Sequence, residues 1–321
     1  MEFYVERYKN VEKLEFECEI ITPMFLSGAN QSECELRPAS IKGALRFWWR
    51  ALYGINYSDI GKLKEAELDL FGSTDKKSKL KIQILQNPQF NKNNNYKPLP
   101  HKEKPNFSLP CFLPDNNIFK ISLTCYENTK DIFENLFILF SIVGGLGRRA
   151  RRGFGAFIIN KKGNENFTII INEKDDKSSP IQEKLIKAIF NCLEKINPNK
   201  FQINNNQIEL VNNNINLNYP YVKCIKVGKE SNNYNDLLKK IGATSHNNNC
   251  DYTGYAGKRS VSNSIQKVTK RFASPLYISC YKYNVAYFPI ITQLNVAFDP
   301  NVTDINLSND KTADFINYLC T

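Results

Sequence analysis

Two histidines in 321 residues leave little room for acid–base chemistry built on imidazole. His101 stands in a Pro/Lys loop and His246 in an Asn-rich one, neither with a nucleophile or acid at a suggestive spacing. No CxxC pair occurs among the nine cysteines, which speaks against a zinc ribbon and a disulfide framework. Free thiols in a reducing cytosol are the expectation. The longest apolar run, Leu136–Val143, is too short for a bilayer and reads as a buried helix. Met1 is followed by Glu2 and Glu6 rather than by a basic and then an apolar stretch, so no secretory leader is predicted. Paired acids are scarce as well. Asp175-Asp176 falls in an apparent linker and reads as a solvated turn, so no metal or cofactor is expected.

Positive charge, by contrast, is abundant and clustered. The net charge is +11, concentrated around residues 42–50, 148–152 and 258–271 while the acids are scattered, so an anionic partner is expected. The densest cluster lies in Gly144-Gly145-Leu146-Gly147-Arg148-Arg149-Ala150-Arg151-Arg152-Gly153-Phe154-Gly155. Four guanidinium groups so close repel one another unless something negative lies among them, and the glycines let a bulky anion approach the backbone. A Walker loop is absent, and a dinucleotide loop would follow a strand and open a helix, the reverse of the order here. RNA suits Arg148, Arg149, Arg151 and Arg152 better, since arginine binds phosphate bidentately and stacks on bases. Pairing of these arginines with buried carboxylates is the alternative.

The second cluster sits on a helix. Ser40 makes an N-cap for a helix from about Ile41 to Tyr53, in which Ile41, Leu45, Trp48 and Leu52 form an apolar stripe. Lys42, Arg46 and Arg50 form a ridge beside it with Trp49 between, and no acid on that ridge relieves the like charges. Ser40, Lys42 and Gly43 at the helix start offer a seat for phosphate. The third cluster, Lys258, Arg259, Lys267, Lys270 and Arg271, interleaves with Tyr252 and Tyr255, a composition that suits single-stranded RNA or an exposed loop equally.

Strands are predicted at Leu14–Ile21, Leu80–Leu85, Ile118–Tyr126, Phe154–Asn160 and Phe167–Asn172, and a helix at Asp131–Val143. That order, with the helix at 41–53, predicts an α+β, ferredoxin-like unit over residues 1–173 with a glycine-rich loop. Residues 174–321 read as a second, decorated version of it, the two joined near Glu173–Ser179. Its elements are helices at Pro180–Ile196, Tyr234–Ile241 and Asp310–Leu319, a strand at Tyr221–Val227, a hairpin of Leu276–Lys282 with Ala286–Leu294, and a long loop from His246 to Arg259.

Three stretches together resemble the RAMP superfamily of CRISPR–Cas proteins. They are Thr22–Gly28 with Leu36–Arg50, then Leu70-Phe71-Gly72-Ser73, then Gly144–Gly155. The double Trp flanked by Arg46 and Arg50, with the GGLGRRARRGFG form of the loop, resembles the subfamily forming the first subunit of the Cmr (type III-B) effector complex. The resemblance implies tandem ferredoxin-like (RRM-like) folds, other complex subunits as partners, and a place at the end holding the 3′ part of the guide RNA. Target RNA would be captured there and cut by another subunit, which carries an Asp in the loop before its first helix. Here that loop reads Gly28-Ala29-Asn30-Gln31, without an acid, which favours binding over catalysis; Glu33 and Glu35 are the only carboxylates nearby. About six neutralised phosphates would give a salt slope near −4. An RNA-processing endoribonuclease using His101 or His246, and a mainly structural subunit, remain the alternatives.

Overall fold

The computed structural model describes residues 10–104, 107–169, 179–212, 217, 219–250, 253–259, 269–297 and 310–321, with the side chains of 255–259 and 269–271 outside the description. The predicted linker at 173–178, with Asp175 and Asp176, lies outside the described residues, as do Tyr252 and Lys267.

Strand β1 (Val11–Ile20) buries Leu14, Phe16, Cys18 and Ile20 and turns its glutamates outward, as its alternation requires. After it come α1 (Pro38–Tyr53), α2 (Ile60–Phe71) and β2 (Leu80–Gln86). The short ladder β3 (Asn95–Tyr96) with β4 (Leu109–Pro110) is followed by β5 (Ile118–Tyr126), α3 (Glu127–Val143), β6 (Phe157–Lys162) and β7 (Glu165–Asn166). The sheet runs β2-β5-β1-β6-β7, antiparallel throughout. For β1, β2, β5 and β6, with α1 and α3 in the crossovers, that is the spatial order of a ferredoxin-like unit. The predicted strand at Phe167–Asn172 is not formed over 167–169; the partner of β6 is the shorter Glu165–Asn166, and 170–172 lie outside the described residues.

The second half contains α4 (Ile181–Ile196), β8 (Phe201–Asn204), β9 (Gln207–Leu210), β10 (Val222–Val227), α5 (Tyr234–Asn247), β11 (Tyr255–Arg259), β12 (Thr269–Phe272), β13 (Leu276–Tyr283), β14 (Ala286–Leu294) and α6 (Thr312–Cys320). Its sheet, β13-β14-β10-β9-β8, repeats the same antiparallel spatial order. Here the fourth place is taken by β9, which precedes β10 in the chain. The hairpin β8–β9 arises inside the Asn-rich stretch because Asn205 and Asn206 both adopt positive φ, 47° and 55°, the geometry of a tight two-residue turn. The long loop expected at His246–Arg259 is shorter than predicted, since α5 continues to Asn247 and Tyr255–Arg259 pairs with Thr269–Phe272.

One apolar core joins the two sheets. From Leu136 to Val143 every residue of α3 is buried, and Phe133, Phe137 and Phe140 pack with Leu185 and Ile189 of α4 and with Phe288 and Ile290 of β14. A helix apolar on all sides must be covered on all sides. Each fully buried Phe contributes about 2–3 kcal/mol of apolar burial, so α3 is the wedge holding the halves together. All nine cysteines are free thiols. No helix among the described residues is long and apolar enough to cross a membrane.

Candidate nucleic-acid interface

Helix α1 starts three residues earlier than its sequence suggests. Arg37 is the N-cap residue in extended backbone and Pro38 opens the first turn, as proline does where no N–H is needed. Ser40 therefore lies inside the first turn rather than at the cap, and no side chain caps this end. The stripe Ile41, Leu45, Trp48, Leu52 is buried as expected. Trp49 is buried too, 2% exposed and stacked on Tyr53 at 5.2 Å. It belongs to the core and offers RNA no face.

The ridge has a counterion after all, and it comes from α2. Glu67, 3% exposed, accepts from Arg46 Nε at 2.6 Å and from Arg50 Nη1 at 2.8 Å. The two arginine side chains remain a third to a half exposed, so one carboxylate fixes two guanidiniums and leaves net positive charge at the surface. Sequence reading missed Glu67 because α2 was not recognised. The signal was present: Leu63, Glu67 and Leu70 share one helical stripe, and an acid on an apolar stripe calls for a cation beside it. Lys42 adjoins this pair, its amine pushed down by burial and by Arg46.

The glycine–arginine loop is stitched to the segment following β1. Arg148 N–H donates to the Phe25 carbonyl at 2.8 Å, Gly155 N–H to Pro23 at 3.0 Å, and Leu146 N–H to Gly155 at 2.9 Å. Gly147 and Gly155 have φ of 89° and 67°, and a Cβ on either would overlap a carbonyl, that of Phe25 or of Leu146. Glycine is required there by sterics. Gly144 and Gly145 are buried, and their carbonyls accept from Ser279 Oγ and, at 3.3 Å, from Tyr277 Oη. Gly144 thus serves the contact with β13, while Gly145 and Gly147 line a cleft.

The four arginines divide by environment. Arg148 is exposed and donates to Gln31 Oε1 at 2.8 Å, so the loop before α1 meets the arginine loop directly. Arg149 sits at φ 62°, an unusual conformation for a side-chain-bearing residue, its guanidinium 5.8 Å from the Phe154 ring. Arg151 lies over the rings of both Phe47 and Tyr277, 5.3 and 5.9 Å from their centres, and donates to the Ser274 carbonyl. Arg152 is structural. It donates to Ser245 Oγ at 2.8 Å and to the carbonyls of Arg151 and Leu276 at 2.9 and 3.1 Å. Burial pushes its pKa down to about 10, with Arg149 and Arg151 adding to the effect, so it stays charged at neutral pH. Among the described residues none of the four is paired with an acid.

Residues about a hundred positions apart do come together. Ser40, Ala44 and Phe47 of α1 face Gly145, Gly147, Arg149 and Arg151 across a cleft of about 420 Å3. Arg46 and Arg50 lie on the far side of Phe47, in a second groove of about 440 Å3 floored by Glu67 and closed by Tyr219 and Pro220. The two basic groups are therefore adjacent clefts sharing one aromatic wall rather than a single cradle. Gly43 is exposed, with open space where a Cβ would stand. Lys258, Arg259, Lys270 and Arg271 lie on the β11–β12 ribbon, and their side chains lie outside the description. Glu33 turns to Lys92 at 3.5 Å, and the Glu35 carboxylate lies against Gly28.

Residues 17–158, which hold most of the first sheet and the basic loop, match the model of the RAMP superfamily. The curated relatives it matches are both named as Cmr subunits of a CRISPR system. Over 66 residues, 20% of this chain, it is 46% identical to the CRISPR system Cmr subunit Cmr1-2 of Pyrococcus furiosus, and over 72 residues, 22% of this chain, 47% identical to Cmr1-1 of the same organism. Those matches span 35% and 21% of the relatives' own lengths. Across nearly the whole chain the fold is similar to the apo crystal structure of Cmr1 from Pyrococcus furiosus, with TM-score 0.57, 21% identity and 96% of each chain covered. It is similar also to a chain of the type III-B Cmr-beta complex bound to cognate target RNA, with TM-score 0.56, 12% identity, and 96% and 98% covered.

Proposed function

We propose that this chain is a non-cutting, RNA-binding subunit of a type III-B CRISPR effector complex. It holds the 3′ part of a guide RNA and helps capture complementary target RNA for defence against invading nucleic acid. The observation that carries this reading is the cleft in which the α1 N-terminal face meets Arg149 and Arg151, with the exposed Arg148 next to them in the loop and no described acid neutralising them. Phosphate and shape are read by the protein, and sequence by pairing between the two RNAs. Partners are the two RNAs and the other subunits of the complex.

Glu67 cancels one of the ridge charges and Arg152 is committed to the fold, so about four phosphates are neutralised rather than six. Filter binding of single-stranded RNA across a salt series should therefore give a log–log slope near −3. A salt-independent affinity would remove the reading.

Gly43 supplies a second check. Glycine inside a helix is less favourable than alanine by about 1 kcal/mol, and no packing in the folded chain demands it. Gly43→Ala should raise stability by roughly 0.5–1 kcal/mol while weakening RNA binding, because the missing Cβ lets an external strand reach the helix backbone. Chemical denaturation beside the filter assay separates the two effects.

One observation favours a second reading, RNA cleavage without metal. His101 and His246, 145 positions apart, have ring centres 5.8 Å apart. Incubation with guide precursor in chelator, followed by His246→Ala, tests it. Cleavage abolished by that change would make the chain a nuclease.

A further inference from the structure

Behind the arginine loop lies a cavity of about 410 Å3 that the RNA cleft does not use. Its chemical lining is His101 and Lys102 from one loop, Arg149 and Arg152 from another, and Ser245 and His246 from α5. Every one of these is a cation, a potential cation or a hydroxyl donor, and no carboxylate among the described residues lines the cavity. Among the described residues, three buried atoms here have no hydrogen-bond partner: both ring nitrogens of His101 and Nε of Arg149. Buried polar atoms in folded proteins are nearly always paired, and an orphan is costly. Two further features hold the arrangement in place. Gly242 is glycine inside a helix, and a Cβ there would overlap Nδ1 of His101. Arg149 is held in left-handed backbone, φ 62°, which is strained for a residue with a side chain.

We propose that this pocket is a binding site for a phosphate group. An anion there accepts from Arg149 Nε and from a protonated His101, and from the Ser245 hydroxyl, which accepts from Arg152 but keeps its own proton to give. Arg152, Lys102 and His246 supply field. Arg149 also lines the α1 cleft, so the pocket lies within reach of a strand held there. This deepens the RNA-binding reading if the phosphate is a terminal or internal one of that strand; a free phosphate would occupy the same donors.

Protonation is linked to occupancy. In the empty pocket, burial first, then Lys102, His246 and Arg149, hold His101 below its ordinary value of 6.5. Negative charge on the ligand, one on an internal phosphodiester and up to two on a terminal phosphate, works against that balance, so binding favours the protonated form of His101.

Because the chain has only two histidines, their ring C–H proton NMR signals can be followed singly and assigned with His101→Gln and His246→Gln. The full chain is titrated at pH 7 with inorganic phosphate, with chloride at equal ionic strength, and with two short RNAs differing only in a 3′-phosphate. Saturable movement of the His101 signal with phosphate but not chloride is expected, with its pKa raised. Arg149→Gln should weaken phosphate at least tenfold; the exposed His246→Gln, which leaves the core untouched, about threefold. Preference for the phosphorylated RNA identifies a strand end, equal response an internal phosphate, and response to inorganic phosphate alone a small-molecule site. Both signals staying still in every titration overturns the pocket, as does an equal response to chloride. RNA retained on filters without any histidine movement sinks the pocket and spares the proposed function. Phosphate response without RNA retention does the opposite.

Discussion

Arg152→Ala should cost about 3 kcal/mol of folding stability, the largest effect expected of any single arginine in the loop. Its guanidinium holds Ser245 Oγ and the carbonyls of Arg151 and Leu276, and it reaches the Thr253 carbonyl at 3.4 Å. Removing it leaves buried acceptors unmatched at roughly 1–3 kcal/mol each, offset in part by relief of an unneutralised buried charge. The ring of Phe315 in α6, 5.6 Å from the guanidinium carbon, also loses its partner. Thermal and urea melts should show the midpoint falling by about 5 °C or more. Arg148→Ala serves as the control, since an exposed arginine with one contact to an exposed loop should move stability by no more than about 0.5 kcal/mol. Equal melting of both variants would mean that Arg152 is not the tie between the loop and the C-terminal half.

The second large effect is on binding. Arg148→Glu with Arg149→Glu should weaken single-stranded RNA binding about a hundredfold, near 1.4 kcal/mol for each lost charge-assisted contact. The salt slope should fall with it, from near −3 to about −1.5, since two of about four phosphates lose their cation. Stability should change little, because neither guanidinium is bound to buried carbonyls. A variant that keeps both its affinity and its slope would move the RNA path away from this loop. If both are lost together with the fold, the loop would instead be a structural element, and the exposed Arg148→Glu alone would then settle the binding role.

How legible all this was in the chain depends on the range of the interaction. Strands β1 and β5 follow from alternation, which records only which face is wet, and the hairpin β13–β14 from the turn at Tyr283-Asn284 between two apolar runs. Helix α3 was readable because an eight-residue apolar run can only be buried. The Asn205-Asn206 turn was not recognised, although two asparagines between short apolar alternations are a local signal. Helix α2 was missed, and with it Glu67, so the Lys42, Arg46, Arg50 ridge was read as bare. Trp49 was placed between the apolar stripe and the basic ridge because helical spacing gives an angle around the axis but not the size of the partner covering it; α2 and Tyr53 cover it here.

Local pattern alone settled the α+β class, the succession of strands and helices in the first half and the presence of three concentrated basic segments, because periodicity and charge density are properties of neighbours in sequence. Only the folded chain decided which charges stay available. Four adjacent arginines carry one chemistry on paper; the φ of Arg149, the Leu276 carbonyl of β13 and the Ser245 hydroxyl of α5 divide them into an exposed contact, a strained donor, a cation against two rings and a buried strut. The meeting of His101 with His246 and Arg149 is of the same kind. Burial and desolvation set the energy of a charge, and both depend on atoms a hundred residues away.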